Sequence, residues 1–465
     1  RAVQEDRAAR EVAELLPADL HFHSDEREKV REQLREARMN QGIQWSSTAL
    51  LMFTSGTTGL PKASKIHHLR LYLAGKVLAT LTGLRPSDVV YSPLPLSHSG
   101  GGMMGVAGVL AAGSCFVTRT KFSVRKFNHD CRTYNVTVLQ YIGELARYLT
   151  SSAAKDDGPP VQLRAAIGNG LRPDVWSVFK EKYRIGLIVE FYAATEGNAN
   201  MMNNTNVVGA VGFIPFFILP FYPVQLFKYD TEKEELVRDP ATGLCIPVAP
   251  GEPGHLLGKI DMKDGIRRFD GYTDKAATQK KIAEDVMSKG DQWFASGDLL
   301  SRDRFGFFYW VDRIGDTFRW KGENISTAEV AGVLARCEEP NAVVDANVYG
   351  IEIPHSDGRA GCARIVLGRP IEAFDFKALH QHLSDNLQAT AIPVFLRISK
   401  TQGASEEHMT STFKHKKTKL KTEGFSISQA EQAGDVVYIR DGGLRTYRPF
   451  TAEDLKQVQG RELLL

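Results

Sequence analysis

Thr54-Ser-Gly-Thr-Thr-Gly-Leu-Pro-Lys62 separates an apolar strand candidate at residues 49–53 from a helix candidate that begins near Lys65. Gly56 and Gly59 let the backbone bend so that successive N–H groups can face an anion. Thr54, Ser55, Thr57 and Thr58 add hydroxyl donors, and Lys62 adds charge. The expected ligand is a nucleoside triphosphate. The Walker loop, G-x-x-x-x-G-K-[ST], is excluded, because Pro61 stands in place of its second glycine and Ala63 in place of its Mg²⁺-binding hydroxyl. A polar surface turn is the plainer reading of the same composition.

The chain has 465 residues, which is long for one compact core and predicts two or more domains. A formal net charge of +3 gives no reason to expect nucleic acid as a partner. Basic residues bunch at Lys414, Lys416, Lys417, Lys419 and Lys421, either as a solvated face or as a contact for phosphate or an anionic membrane. Cys115, Cys131, Cys245, Cys337 and Cys362 are odd in number and scattered without zinc spacing, which predicts a reduced, intracellular chain with no structural metal. Residues 1–40 are densely charged and read as amphipathic helix rather than signal peptide.

Two apolar runs invite comparison with a membrane span. Residues 101–117 are rich in Gly and Ala and are expected to form a buried helix. Residues 207–227 carry Pro215, Pro220 and Pro223, which would repeatedly break a helix, so buried strands and turns are expected, with a monotopic membrane contact as the alternative.

Between residues 49 and 260, strand-like runs at 89–91, 136–142 and 187–192 alternate with helical patterns at 67–81 and 173–183. That alternation predicts an α/β body with ligand loops at strand ends. Past Arg313 a smaller α/β unit begins, with a helix from Ser326, strands at 343–350 and 361–367, and a helix at 374–387. The expected division is a helical segment at 1–47, a nucleotide-binding domain at 48–314 and a small domain at 315–465.

The phosphate loop is followed in order by Gly168-Asn-Gly-Leu171, Tyr192-Ala-Ala-Thr-Glu196, Ser296-Gly-Asp-Leu299, Val311-Asp-Arg-Ile-Gly-Asp-Thr-Phe-Arg-Trp-Lys-Gly-Glu-Asn-Ile-Ser326 and Thr410-Ser-Thr-Phe-Lys414. Together these resemble the adenylate-forming, AMP-binding superfamily. From about Thr48 to the C-terminus, the resemblance is to its very long-chain acyl-CoA synthetase and fatty acid transport protein family. It implies an α/β fold with a large multi-sheet N-terminal adenylate-forming body and a smaller mobile C-terminal domain. In that family a substantial region precedes the phosphate loop, whereas 53 residues precede Thr54 here and the chain opens on Arg1; a longer parent chain is expected.

The resemblance also assigns roles. Tyr192 packs beside adenine, which Gly168, Asn169 and Gly170 line; Thr195 contacts phosphate, and Glu196 holds Mg²⁺. A lone carboxylate suffices for an ion that completes its shell with phosphate and water. Asp298 and Arg313 hold the ribose, where one carboxylate can accept from both hydroxyls. Lys414 spans the acid and the α-phosphate, offsetting repulsion between two anions during adenylation. His98 lines the acyl end as a gate rather than a base, since the acid arrives ionised. Gly101 and its neighbours either leave room for the chain or pack tightly. Gly315 is the hinge, and Gly322 and Glu323 lie on the loop offered to CoA.

The expected activity is therefore ATP-dependent ligation of a long or very long-chain fatty acid to CoA through an acyl-adenylate. The expected substrates are ATP, fatty acid and CoA, with Mg²⁺ as the metal. Peripheral association with the cytosolic side of an endoplasmic reticulum, peroxisomal or other lipid-rich membrane is expected. The alternatives are a fatty acid uptake protein acting with or without catalysis and an adenylating enzyme for another carboxylic acid. An amino-acid-activating domain is disfavoured, because the stretch around His98 lacks an Asp for the substrate ammonium.

Overall fold

The computed structural model describes residues 42–54, 62–151, 158–231, 233–265, 267–321, 323–338, 340–354, 356, 358–400 and 417–460. Mixed α/β layers make up the whole. A hairpin of β1 (Thr48–Thr54) and β2 (Lys62–His67) comes first. Helix α1 (His68–Leu81) starts only after His67, whose Nδ1 accepts the Arg70 N–H at 3.1 Å. This corrects the helix expected near Lys65. Strand β2 is held open by two neighbours, β1 on one side and residues 271–273 on the other, where Lys65 N–H donates to Gly271 O and Thr273 N–H to Ala63 O. Among the described residues, the element that follows the phosphate loop is a strand rather than a helix, a physical difference from the Walker arrangement.

The main sheet follows, with β3 (Val89–Tyr91), β4 (Cys115–Val117), β5 (Val138–Ile142), β6 (Ala165–Asn169), β7 (Leu187–Tyr192) and β8 (Met201–Asn203) in the spatial order 4-3-5-6-7-8. All pairings are parallel except β7 with β8. Alternation within strands covers both faces. Leu139, Tyr141 and Ile188 turn towards Phe127, Trp176 and Phe179 of helices Val124–Thr133 and Pro173–Lys182. Val138, Ala165, Val189 and Phe191 turn the other way, among Leu78, Met104 and Val109.

The second apolar sheet is antiparallel: β9 (Ala210–Phe213), β10 (Val224–Phe227), β13 (Gly254–Lys259), β15 (Gln292–Arg302) and β16 (Phe307–Arg313) run in the order 10-13-15-16-9. The short β14 (Ile282–Glu284) pairs on β15, and β11 (Tyr229–Asp230) and β12 (Glu235–Leu236) form a separate hairpin. The α/β alternation expected up to residue 260 thus stops at β7. Residues 101–117 form a π-helical segment Ser99–Val106, a helix Ala107–Ala112 and strand β4, rather than one buried helix. Residues 207–227 supply β9 and β10, but Phe216, Phe217, Ile218, Phe221 and Tyr222 between them are exposed, so buried core is the wrong reading for that middle part. Among the described residues no helix is long and apolar enough to cross a membrane.

Beyond β16 the hairpin β17 (Phe318–Trp320) and β18 (Glu323–Ile325) leads to helix Thr327–Ala335 and a sheet of β19 (Val343–Glu352), β20 (Arg359–Leu367), β21 (Phe395–Ser399), β22 (Asp435–Asp441) and β23 (Thr446–Pro449) in sequence order. Its core holds Val348, Ile365, Leu383, Phe395 and Leu396. Arg364 and Arg397 face each other across the parallel β20–β21 pair. Asp435, fully buried, accepts from both at 2.7–2.9 Å, and Arg397 also donates to Glu423 at 2.6 Å. Truncating that carboxylate leaves two buried guanidiniums against each other, so Asp435→Ala should lower unfolding free energy by about 3–5 kcal/mol in chemical denaturation.

Glu190 on β7 is equally buried, between the Tyr141 hydroxyl and the Leu171 N–H, 2.9 Å away. Burial pushes its carboxyl up to about 8. The fold therefore keeps a proton that the unfolded chain releases near its ordinary value of about 4.3. That contribution is full below about pH 4 and is lost as pH rises through about 8. Glu190→Gln removes the titration, so the wild type's melting temperature should fall relative to the variant's as pH climbs from about 4 to about 8 and level off above that.

Candidate functional site

Parallel pairing sends the carboxyl ends of β3, β5, β6 and β7 to one edge of the main sheet, where ligand crevices form in open α/β sheets. There a cleft of about 1100 Å³ lies between that edge, helix α1 and the second sheet. Its polar half is lined by Thr54, Lys62, Asn169, Tyr192, Thr195, Glu196, Asp298 and Arg313, residues drawn from five separate motifs of the sequence.

Short contacts hold these groups together. The Tyr192 hydroxyl donates to Asp298 at 2.5 Å, and Arg313 Nε donates to the other oxygen of that carboxylate at 3.4 Å. Register explains the second contact: Asp298 on β15 pairs directly with Arg313 on β16. Thr195 shares a hydrogen bond with Ser99 at 2.9 Å. Glu196 accepts from the Tyr272 hydroxyl at 2.7 Å, and the Lys62 ammonium lies 5.7 Å from the centre of the Tyr272 ring. Tyr272 thus links Glu196 to Lys62 at the end of the phosphate loop. Among the described residues no group of three or more His, Cys, Asp or Glu is placed to hold a metal. A lone carboxylate fits Mg²⁺, which takes its remaining ligands from phosphate and water.

Gly168 and Gly170 flank Asn169 without lining the cleft themselves, and a Cβ on Gly168 would sit 2.2 Å from Tyr141 O. His98 lines the cleft, and its Nδ1 also accepts the Gly100 N–H at the start of the π-helical segment. Gly101 does not line it. A Cβ there would lie 2.5 Å from Pro95 O, so tight packing, not space for a substrate, explains the glycine. Ser55, Gly56, Thr57, Thr58, Gly59, Gly322 and Lys414 lie outside the described residues, and Glu323 opens β18.

Gly315 lies between β16 and β17 at φ +85°, with nothing within 4 Å of where a Cβ would point. Asp316 beside it pairs with Lys417 and Lys421, each at 3.2 Å, and Lys421 also donates to Gly315 O at 2.8 Å. Across the turn at Gly315, Thr327 N–H donates to Asp312 at 2.7 Å, and Lys417 donates to the Thr327 hydroxyl at 2.8 Å. Two of the clustered lysines thus hold that turn, a role that neither expectation for that cluster included. A second bridge runs from Arg147, on helix Gly143–Ser151, to the Val344 carbonyl and the Asp345 carboxylate.

Four residues that the sequence reading passed over shape the site. Arg70 donates to the carbonyls of Ala194, Glu196 and Gly197, clamping the loop after β7. Burial lowers its guanidinium to about 10, so it stays charged at neutral pH. The signal was available: Arg70 shares a helix face with cleft-lining Leu73, Ala74 and Val77, where a cation needs a partner. Lys281 donates to Ser296 O at 3.1 Å, and burial lowers its ammonium below the usual lysine value. His255 accepts the Gly297 N–H at 3.0 Å, and burial lowers it to about 3, leaving a neutral acceptor under the Asp298 loop. Tyr272 is the fourth, through its bond to Glu196.

The cleft's other half is apolar, with Leu73, Val77, Leu81, Met103, Met104 and Phe191 among its walls.

The family described as AMP-binding enzyme matches residues 2–258. Long-chain fatty acid transport protein 2 of Rattus norvegicus is 43% identical over 91% of this chain and 66% of its own length. Long-chain fatty acid transport protein 1 of Homo sapiens is 44% identical over 81% of this chain and 57% of its own. The chain thus spans about three fifths of the curated relatives it matches. The fold is shared with O-succinylbenzoate CoA synthetase of Bacillus subtilis, solved with its acyl-adenylate intermediate: TM-score 0.61, 23% identity, covering 82% of this chain and 70% of that one. The chain belongs to the AMP-binding enzyme family, and within it is similar to the long-chain fatty acid transport proteins.

Proposed function

We propose that this chain carries the site of an ATP-dependent acid:CoA ligase that activates a long or very long-chain fatty acid. The observation that supports this reading best is the single cleft, in which the Tyr192, Glu196, Asp298 and Arg313 cluster opens directly onto an apolar arm along α1. A carboxylate placed at the junction, with its chain along α1, attacks the α-phosphorus of ATP; the bond to the bridging oxygen breaks and pyrophosphate leaves. The CoA sulfur then attacks the acyl carbon, and AMP departs with the electron pair of the C–O bond. Mg²⁺, held by Glu196 and phosphate oxygens, would neutralise charge on the triphosphate. Tyr192 and Asn169 would flank adenine, Asp298 and Arg313 the ribose, and Thr54, Thr195 and Lys62 the phosphates. Lys414 would serve adenylation and the loop at Gly322 and Glu323 the thioester step, with rotation about Gly315 between them.

The same reading places the protein peripherally on the cytosolic side of a lipid-rich intracellular membrane, such as the endoplasmic reticulum or peroxisome. A fatty acid uptake protein is the second reading, favoured by the naming of the relatives as transport proteins. Pyrophosphate release measured over a panel of fatty acids with CoA separates the two: the ligase reading fails if no acid supports turnover. Lys414→Ala should lower adenylate formation roughly 10²–10³-fold while sparing thioester synthesis from supplied acyl-adenylate. Equal loss of both steps would remove the lysine from that role.

Arg70 acts through the loop it clamps and is a positioning residue. Arg70→Met should raise the Mg²⁺ concentration needed for half-maximal adenylation about tenfold, and Arg70→Lys should recover part of it. A change in maximal rate alone, with unaltered Mg²⁺ dependence, would contradict that role.

A further inference from the structure

The loop between β9 and β10 turns its large side chains outward. Phe216, Phe217, Ile218, Phe221 and Tyr222 are 37–79% exposed, whereas Leu219 alone packs back onto the second sheet's core. No charged residue occurs from Val208 to Phe227. Soluble surfaces seldom gather so many large apolar groups on so short a stretch without a partner.

The loop's backbone closes most of its own donors. Ile218 and Leu219 donate to the Pro215 carbonyl, Phe221 and Tyr222 donate to the Ile218 carbonyl, and Pro215, Pro220 and Pro223 have no N–H to satisfy. Closing these donors within the loop lowers the cost of leaving water for a lipid interface. Two arginines flank it: Arg267 reaches the Phe221 carbonyl while pairing with Asp264 at 3.3 Å, and Arg304 lies over the exposed ring of Phe305, next to Gly306, whose carbonyl accepts from Ile214. Aromatic tips beside arginines suit anionic lipid headgroups above acyl chains. A stable protein interface takes roughly 800 Å² from each partner, more than five side chains on one protruding loop present. Insertion into a bilayer needs no matching shape.

The loop also adjoins the cleft. Phe213 at its start and Tyr222 at its end both line the cavity, and the Tyr222 hydroxyl is fixed on Asn200 O at 3.0 Å. We propose that residues 215–222 dock into an anionic lipid bilayer and set the mouth of the cleft on the leaflet, so that an acyl chain passes inward without crossing water. The docking stands on the loop itself; the passage of an acyl chain rests on the ligase reading above.

The test is co-sedimentation of the full chain with phosphatidylcholine–phosphatidylserine vesicles. The triple variant Phe216→Ser, Phe217→Ser, Phe221→Ser should lower the vesicle-bound fraction by about tenfold or more. Equal binding by wild type and variant, or no binding by either, overturns the proposal. So does a variant that changes oligomeric state in solution while binding vesicles as before, which would make the loop a protein interface. Phe221→Trp guards against misfolding: its added fluorescence should be quenched by brominated acyl chains, and absence of quenching overturns the placement. In the activity arm, the triple variant should keep pyrophosphate release with water-soluble octanoate and lose it with vesicle-borne palmitate. If no acid supports release in the wild type, the ligase reading fails while the vesicle binding still decides the docking.

Discussion

Parallel pairing of β3, β5, β6 and β7 is the constraint on which the rest depends. Strands that run the same way deliver their following loops to the same edge, so residues 94–98, 169 and 192–197 meet although up to a hundred positions separate them. The sheet order 4-3-5-6-7 also places consecutive strands β4 and β5 on opposite sides of β3, which opens the crevice at that edge. The antiparallel sheet adds the facing wall, and its own register, Asp298 opposite Arg313, presents a carboxylate and a guanidinium side by side.

What joins the two sheets is mostly polar. The β1–β2 hairpin continues into residues 271–273 through backbone bonds, which brings Tyr272 under Lys62 and against Glu196. Arg70 then binds the Tyr192–Gly197 segment through the carbonyls of Ala194, Glu196 and Gly197. A buried guanidinium is costly without partners, and three carbonyls together with the nearby Glu196 charge supply them. The Glu196 backbone is therefore fixed from below while its carboxylate is steered by a phenol from the side.

Much of this was legible in the sequence because periodicity and loop chemistry are local. The strands at 89–91 and 187–192 and the helix at 173–182 follow from apolar spacing, and the cleft residues Thr54, Asn169, Tyr192, Glu196, Asp298 and Arg313 follow from motifs. The errors are non-local. Lys62–His67 continues as strand because residues 271–273, two hundred positions on, pair with it. Phe216, Phe217, Ile218, Phe221 and Tyr222 look like core in composition, yet the backbone turns them outward. Gly101 looks like space, yet it is a point where backbone meets backbone. Arg70, His255 and Lys281 carry no motif, since each acts on main-chain atoms of a segment brought near only by the fold.

Asp316, the residue after Gly315, is gripped by Lys417 and Lys421, so the helix Thr418–Glu423 is fastened close to Gly315. In a lever, what sits at the fulcrum turns almost in place while the rim sweeps a long arc. Under the rotation proposed above, Asp345 would belong to the rim, and its hold on Arg147 would have to release early. The lysines beside the axis would ride through the same turn with their partner still in hand. The proposed turn would then exchange the face presented to the crevice while the tether beside it stays at nearly constant length.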